Sequence, residues 1–595
     1  MRKVRVSAIV WGSELPLLRE AAEREGVALN AWATFRLRDG EALSACINSL
    51  AGSDVILLHP TQDSYWDTVV AALPPGVPVI SFGQDPSLWR VSNQPPAVVA
   101  RVSAYFSCGG EGNMVNLLRY LASEVLGRQI SFAEPSPELW EGAYHPDAPR
   151  VFSSADEYWA WRGRHHAHAV GILFSRIYWA NGDLAVVDGL IRELEADNDV
   201  IAVFSPGTGD AAVGIRDSTA VIRDYFGDVD LLLCLQSSAL SHDPAEPERV
   251  FAELDVPVIH PLVVYYRTGD EWRGKQDGLS STELAWSVIL PEMYGMTGMI
   301  PVGCARGDGP EGSGQEWHVP IPERVRTLAA RARAILRLRE KPNSEKRVAF
   351  VLNSSACASV EANVGAAAHL DALESVARIL ARMREEGYFV EVPDSGEELA
   401  RTILGRRAIN EFRWTTVEDI VARGGALGFV DLETYREWFS ELPPALRDRV
   451  REAWGEPPGE WKNGVPPAMV HGGRIVIPGV RLGNAVVCTQ PKRGCAGSRC
   501  DGQVCRILHD PAVPPPHHYL AVYRYLERVF RADVIVHVGT HGTLEFLPGK
   551  SVALSAECLP DAVLGSVPLL YVYNSDNPSE GTIAKRRAHA TLVDH

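Results

Sequence analysis

Short apolar runs of strand length recur along this chain, each followed by an amphipathic stretch of helix length. That alternation limits the fold more than any other feature. Val4–Val10 leads into Glu14–Glu25, Val55–His59 into Tyr65–Leu73, and Val77–Phe82 supplies a third run. The pattern restarts near His168 with a strand at Ala169–Phe174, a helix at Leu184–Ala196 and a strand at Val200–Phe204. Val221–Phe226, Leu231–Leu235 and Val256–His260 continue it. Arg347–Leu352 opens a further unit, and His369–Glu386 has helical periodicity closed by Gly387. Strands alternating with helices of this length pack as parallel sheets covered on both faces. The expected class is therefore α/β and multidomain, with several doubly wound, flavodoxin- or Rossmann-like units.

A chain of 595 residues is too long for one core. The expected divisions are 1–134, an α/β domain; 135–345, a second α/β domain with a helical tail; 346–475, a third α/β region; and 476–595, which carries the unusual residues. Pro135, Pro137, Pro146 and Pro149 mark a linker, Cys304–Gly314 reads as an exposed loop, and Pro322–Arg339 as a long basic helix. The longest apolar runs, such as Val229–Leu235, fall far short of the ~18 residues that span a bilayer. The amino terminus has no apolar core of a secretory signal. A cytoplasmic protein is expected. The net charge of −17 repels phosphate backbones and argues against nucleic-acid binding.

Four constellations carry possible chemistry. His537-Val-Gly-Thr-His541-Gly-Thr-Leu-Glu545 follows the apolar Val534-Ile-Val. A strand running into Gly539 and Gly542 makes a sharp turn where a sheet opens, the usual ligand position in α/β proteins. An imidazole at His541 and a carboxylate at Glu545 would there supply a metal ligand and a base. The competing reading is a tight turn with His541 capping a helix and Glu545 solvated. Upstream, His517 and His518 follow the stiff Pro514-Pro515-Pro516 and are candidates to face the same crevice. Cys488, Cys495, Cys500 and Cys505 lie within eighteen residues. In a large intracellular chain such a cluster reads as a metal site, zinc or an iron–sulfur cluster, rather than disulfides. Lys550, Arg586 and Arg587 could clamp carboxylates, against the plainer reading of a solvated basic helix face.

Together these segments resemble the CobN / magnesium chelatase H family of large tetrapyrrole-binding chelatase subunits. The resemblance rests on the run from Val536 through Lys550, on His509-Asp-Pro-Ala-Val-Pro-Pro-Pro-His-His-Tyr-Leu, and on Asn577-Pro-Ser-Glu-Gly-Thr-Ile-Ala-Lys-Arg-Arg. It extends from about residue 165 onward and is most specific after 475. The wording of Thr540–Phe546 and of Leu554-Ser-Ala-Glu-Cys is closer to the CobN branch, whereas the cysteine-bearing insert departs from the aerobic CobN pattern.

The resemblance implies a subunit that binds a corrinoid precursor, hydrogenobyrinic acid a,c-diamide, and inserts cobalt in cobalamin biosynthesis. The alternative within the family is a magnesium chelatase H-type subunit acting on protoporphyrin IX. An alternative of another class is a non-catalytic tetrapyrrole-binding or iron–sulfur scaffold. The implied partners are separate AAA+ subunits, CobS/CobT-like or ChlI/ChlD-like, which use the ATP. Consistent with that, the chain has no G-x-x-x-x-G-K-[ST] phosphate loop. Glu545 and His541 are implied to be the base and the ligand of the inserted metal. His537, His517, His518, Lys550, Arg586 and Arg587 are implied to be substrate contacts, and a [4Fe-4S] cluster would be structural. Family members continue past Asp594-His595, so a truncated form is expected.

Overall fold

A computed structural model describes residues 3–593 apart from 62, 84–85, 137–138, 212–213, 307–316, 354–363, 366, 368, 411–414, 461–468, 494–511, 540–541 and 574–577. The chain divides into two compact units. One comprises Met1–Val256, Val263–Trp272 and Val302–Ile321; the other comprises Pro257–Leu262, Arg273–Pro301 and Pro322–His595.

In the first unit, β1 (Arg5–Val10), β2 (Ala28–Ala33), β3 (Val55–Leu58) and β4 (Val79–Ser81) form a parallel sheet in the order β2-β1-β3-β4. The next sheet contains β5 (Gly142–Tyr144), β6 (Ala169–Ser175), β7 (Asp199–Ser205), β8 (Leu231–Cys234), β9 (Val258–Thr268), β10 (Thr297–Ala305) and β11 (His318–Pro320). Its order is β11-β10-β9-β8-β6-β7-β5; β6 pairs in parallel with β7 and β8, while the outermost β5 and β11 run antiparallel. Part of the predicted loop at Cys304–Gly314 is strand: β10 runs through Ala305 with Cys304 buried, because apolar residues dominate Thr297–Ala305. Val221–Phe226, part of the alternating pattern, belongs to a helix, Ser218–Tyr225.

The second unit holds β12 (Val348–Leu352), β13 (Ala426–Asp431), β14 (Val470–His471), β15 (Arg474–Pro478), β16 (Val480–Leu482), β17 (Ala485–Thr489), β18 (Val534–Val538), β19 (Leu569–Val572) and β20 (Thr591–Val593). Its main sheet has the order β16-β17-β12-β18-β19-β20, parallel except at β16. β12, β17 and β18 are buried at every position, which explains their largely apolar sequences. The expected boundary at 475/476 runs through this sheet: β12 comes from before it, and the strands β12 pairs with, β17 and β18, come from after it. β13, β15 and β14 make a small antiparallel sheet that the alternation did not foretell.

β12 enters the sheet first, the chain returns as β17 on one side of it, and then crosses to β18 on the other. Such a reversal marks the position, outside the carboxyl ends of the strands, where α/β sheets commonly place a ligand crevice. No helix among the described residues is long and apolar enough to cross a membrane.

Candidate functional site

The register across the second unit's sheet fixes which side chains meet at that position. Cys488, Val351, His537 and Tyr571 are paired across neighbouring strands and form one row. Side chains alternate faces, so Gln490, Asn353 and Gly539, two residues further on, lie above that row at the strand ends. Asn353 N–H donates to Val538 O (3.0 Å), Gln490 N–H to Leu352 O (2.8 Å) and Gly539 N–H to Val572 O (3.1 Å), so the ladder continues one residue past each strand.

The loop after β18 is built onto this rim. Gly539 has φ +132°, a conformation that L side chains rarely adopt. A Cβ on Gly542 would meet the side-chain amides of Gln490 at 3.0 Å and Asn353 at 3.1 Å, so a larger residue would have to push those amides back. Gln490 Oε1 accepts from Thr543 N–H (2.8 Å), and its Nε2 donates to the Tyr523 hydroxyl (3.1 Å). Tyr519 shares a hydrogen bond with Thr543 Oγ1 (3.0 Å).

Glu545 occupies the centre. It is 1% exposed, its Oε1 accepts from Gly542 N–H (2.9 Å), and the Tyr571 hydroxyl donates to the same oxygen at 3.3 Å. Asn353 Nδ2 in turn donates to the Tyr571 oxygen (2.8 Å). Burial and the adjacent Glu545 charge hold the Tyr571 phenol well above its ordinary range, so it stays a donor. The tight-turn alternative had Glu545 solvated; the structure buries it. The expectation of a side chain facing an open crevice fails: in this conformation the carboxylate is covered.

His537 lies inside β18, fully buried, with Nε2 3.1 Å from the Tyr523 hydroxyl. Burial lowers its pKa to about 3, so it is a neutral part of the floor and not a proton acceptor near pH 7. His541 lies outside the described residues.

The remaining candidates are engaged elsewhere. His517 Nδ1 meets the Tyr435 hydroxyl (2.9 Å) and Nε2 meets Gly455 O (3.0 Å); His518 Nε2 meets Val476 O (3.2 Å). Burial lowers both pKa values to about 4. Pro516 starts the helix His517–Arg524, and its first turn drives both rings into the protein rather than toward Glu545.

Lys550 Nζ donates to the carbonyls of Arg273 (2.9 Å) and Lys275. Arg586 forms a two-pronged pair with Glu292 (2.6 and 3.0 Å). Arg587 donates to the carbonyls of Glu545 (2.6 Å), Leu547 (2.7 Å) and Lys550 (2.9 Å). All three cations bind protein oxygens, so the expectation of carboxylate clamps is replaced by a structural role: Arg587 ties down the loop that carries Glu545.

Cys488 is 1% exposed in the apolar core, and burial pushes its thiol up to about 12. Cys488 lies within β17, between Val487 and Thr489, where its side chain packs as a small apolar group. Cys495, Cys500 and Cys505 lie outside the described residues; among the described ones no group of three or more His, Cys, Asp or Glu is placed to hold a metal.

The family model for CobN/Magnesium Chelatase matches residues 103–595, including every strand of this site. The chain belongs to that family. An uncharacterized protein of Methanocaldococcus jannaschii is 40% identical over 534 residues, covering 87% of this chain and 42% of the relative. The aerobic cobaltochelatase subunit CobN of Pseudomonas aeruginosa is 32% identical over 518 residues, covering 86% and 39%. Among solved structures, the catalytic subunit of cobaltochelatase from Mycobacterium tuberculosis superposes with a TM-score of 0.65 at 28% identity, covering 100% of this chain and 48% of that one. The chain thus spans about two fifths of the curated relatives it matches. It shares with this chelatase family a multidomain α/β architecture.

Sequence reasoning did not single out Tyr519, Tyr523, Tyr571, Asn353, Gln490 and Thr543. For Asn353 and Gln490 a signal existed: each is a polar residue directly after an apolar strand, at the carboxyl end where α/β sites form.

Proposed function

We propose that this chain is the tetrapyrrole-binding part of the large subunit of an ATP-dependent, ligase-type metal chelatase that inserts cobalt into a corrinoid precursor such as hydrogenobyrinic acid a,c-diamide. The observation that carries this reading is Glu545. A carboxylate in a family-matched chain is held by a backbone N–H and a phenol at the carboxyl ends of a doubly wound sheet.

Metal insertion requires loss of two N–H protons from the ring and loss of water from the metal. In the proposed step a Glu545 oxygen takes a pyrrole proton. The O–H bond forms as the N–H bond breaks, and the electron pair stays on nitrogen to bind the metal. The acquired proton then passes to solvent water, which restores the carboxylate before the second is taken. His541 is assigned as the ligand that receives the metal as it sheds water. Because Glu545 is covered, the reaction requires the residues over it to open when the ring binds. Gln490, Asn353 and the tyrosines offer neutral hydrogen-bonding groups beside the base. The macrocycle's carboxylates must find cations other than Lys550, Arg586 and Arg587.

Separate AAA+ subunits would supply ATP hydrolysis, and the proposed setting is the cytoplasm. An iron–sulfur or zinc site, if built from Cys495, Cys500 and Cys505, needs a fourth ligand other than Cys488; no step of the proposed reaction uses it.

The test is an absorbance titration of the purified chain with hydrogenobyrinic acid a,c-diamide and, separately, protoporphyrin IX. Cobalt or magnesium is then added with the AAA+ subunits and ATP. Saturable binding of the corrinoid followed by ATP-dependent cobalt insertion supports the proposal. Insertion of magnesium into protoporphyrin instead places the chain in the other branch. Ring binding with no insertion of either metal supports a non-catalytic role.

A further inference from the structure

We propose that Tyr571 is a positioning residue that keeps Glu545 ionised and aimed for proton abstraction. This inference rests on the reading of Glu545 as the base.

The geometry gives the Tyr571 hydroxyl a direction. Asn353 Nδ2 is a donor only, and at 2.8 Å it occupies the acceptor side of the phenol oxygen. The phenol proton therefore points away from Asn353, and Glu545 Oε1 lies at 3.3 Å on that side. That distance is long for an O–H···O bond, as catalytic hydrogen bonds often are before substrate binds. Gly542 N–H donates to the same oxygen at 2.9 Å. Two donors on one carboxylate oxygen favour the charged form and fix its rotation.

Tyr571 is itself held by packing and strand pairing. Its ring meets His537 edge-on at 5.4 Å and Tyr573 at 5.3 Å, and its backbone is paired into the sheet opposite His537. Asn353 is fixed because its backbone N–H extends the β12–β18 ladder. The chain of support runs from β12 and β19, the parallel strands on either side of β18, through an amide and a phenol, to the carboxylate. His537 contributes a neutral wall and makes its hydrogen bond to Tyr523; Arg587 and Tyr519 also interact electrostatically with Glu545.

Tyr571→Phe removes one donor and keeps the ring. The tests are pH–rate profiles of metal insertion with the AAA+ subunits and ATP, together with ring affinity by absorbance. The expected result is an acid limb displaced upward by roughly half to one pH unit, because a carboxylate that loses a donor holds its proton more tightly. At pH 7, kcat falls roughly 3- to 30-fold with KM for the ring unchanged, and part of the loss returns at higher pH. Asn353→Ala, which frees the phenol to rotate, is expected to shift the limb in the same direction by less, and it serves if Tyr571→Phe does not fold. A purely structural role would lower the unfolding midpoint and leave the acid limb in place. An unshifted limb and unchanged kcat in the variants, with Glu545→Gln inactive, overturns the inference and leaves the proposed base standing. Full activity of Glu545→Gln removes the base itself, and this inference with it.

Discussion

At the residue scale, the histidines of this chain divide by burial rather than by motif. His537, His517 and His518 stand in or beside the most distinctive sequence runs, and all three are held neutral in the protein interior. Their folded pKa values, about 3 to 4, lie below the unfolded value near 6.5. The sign follows: below pH 6.5 the unfolded chain binds protons that the folded chain refuses. Their stabilising contribution is therefore complete above about pH 6.5 and is lost as pH falls toward about 4. At pH 5 each is expected to cost about 2 kcal/mol relative to pH 7. Denaturant unfolding at the two pH values measures it, and replacing His518 by Leu should flatten the slope. His517→Ala should also expose unmet partners in Tyr435 and Gly455 and destabilise by about 1–3 kcal/mol. The sequence showed that these residues matter and not how, because spacing does not report whether the helix after Pro516 turns its first residues inward.

At the scale of elements, the loop from Gly539 to Lys550 is shaped by what it sits on. Gly542 must pass within contact distance of the Gln490 and Asn353 amides, and Arg587 on the Pro578–Ala588 helix holds three of the loop's carbonyls. Gly542→Val is expected to push those amides aside, break the Gln490–Thr543 bond and lower insertion at least 10-fold with little loss of overall fold, as circular dichroism would show. Arg587→Met should loosen the same loop, raising hydrogen exchange at residues 543–550 while the core strands stay protected. The alternation of apolar runs and helices made the strands legible: β1, β3, β6, β7, β8 and β12 fall where the apolar runs are. Cys488, one of the four candidate metal ligands, lies in such an apolar run. Its neighbours Val486 and Val487 mark a strand interior, and a cysteine in such a strand is first a small apolar residue.

At the scale of the whole molecule, the expected boundary at residue 475 did not anticipate a sheet in which β12 pairs with strands more than a hundred residues later. Local periodicity identifies strands, whereas their pairing depends on contacts that no window of residues contains. The long helix Pro322–Glu340 illustrates this. Read as a basic helix, it buries Arg324 and Arg331 against Asp561 at 2.5 and 2.7 Å, with His589 on the same carboxylate at 3.1 Å. The flanking guanidiniums hold the Asp561 carboxyl well below its ordinary range. Asp561→Asn would leave two buried cations without their counter-charge and is expected to cost about 3–5 kcal/mol, read from the denaturation midpoint.

The central claim is that Glu545 is the base that deprotonates the bound ring. Glu545→Gln keeps the side chain's shape and removes its basicity. Measured with hydrogenobyrinic acid a,c-diamide, cobalt, the AAA+ subunits and ATP, this variant is expected to bind the ring with the parent affinity and to insert metal about 10²- to 10⁴-fold more slowly. Insertion at the parent rate with ring binding intact would contradict the account.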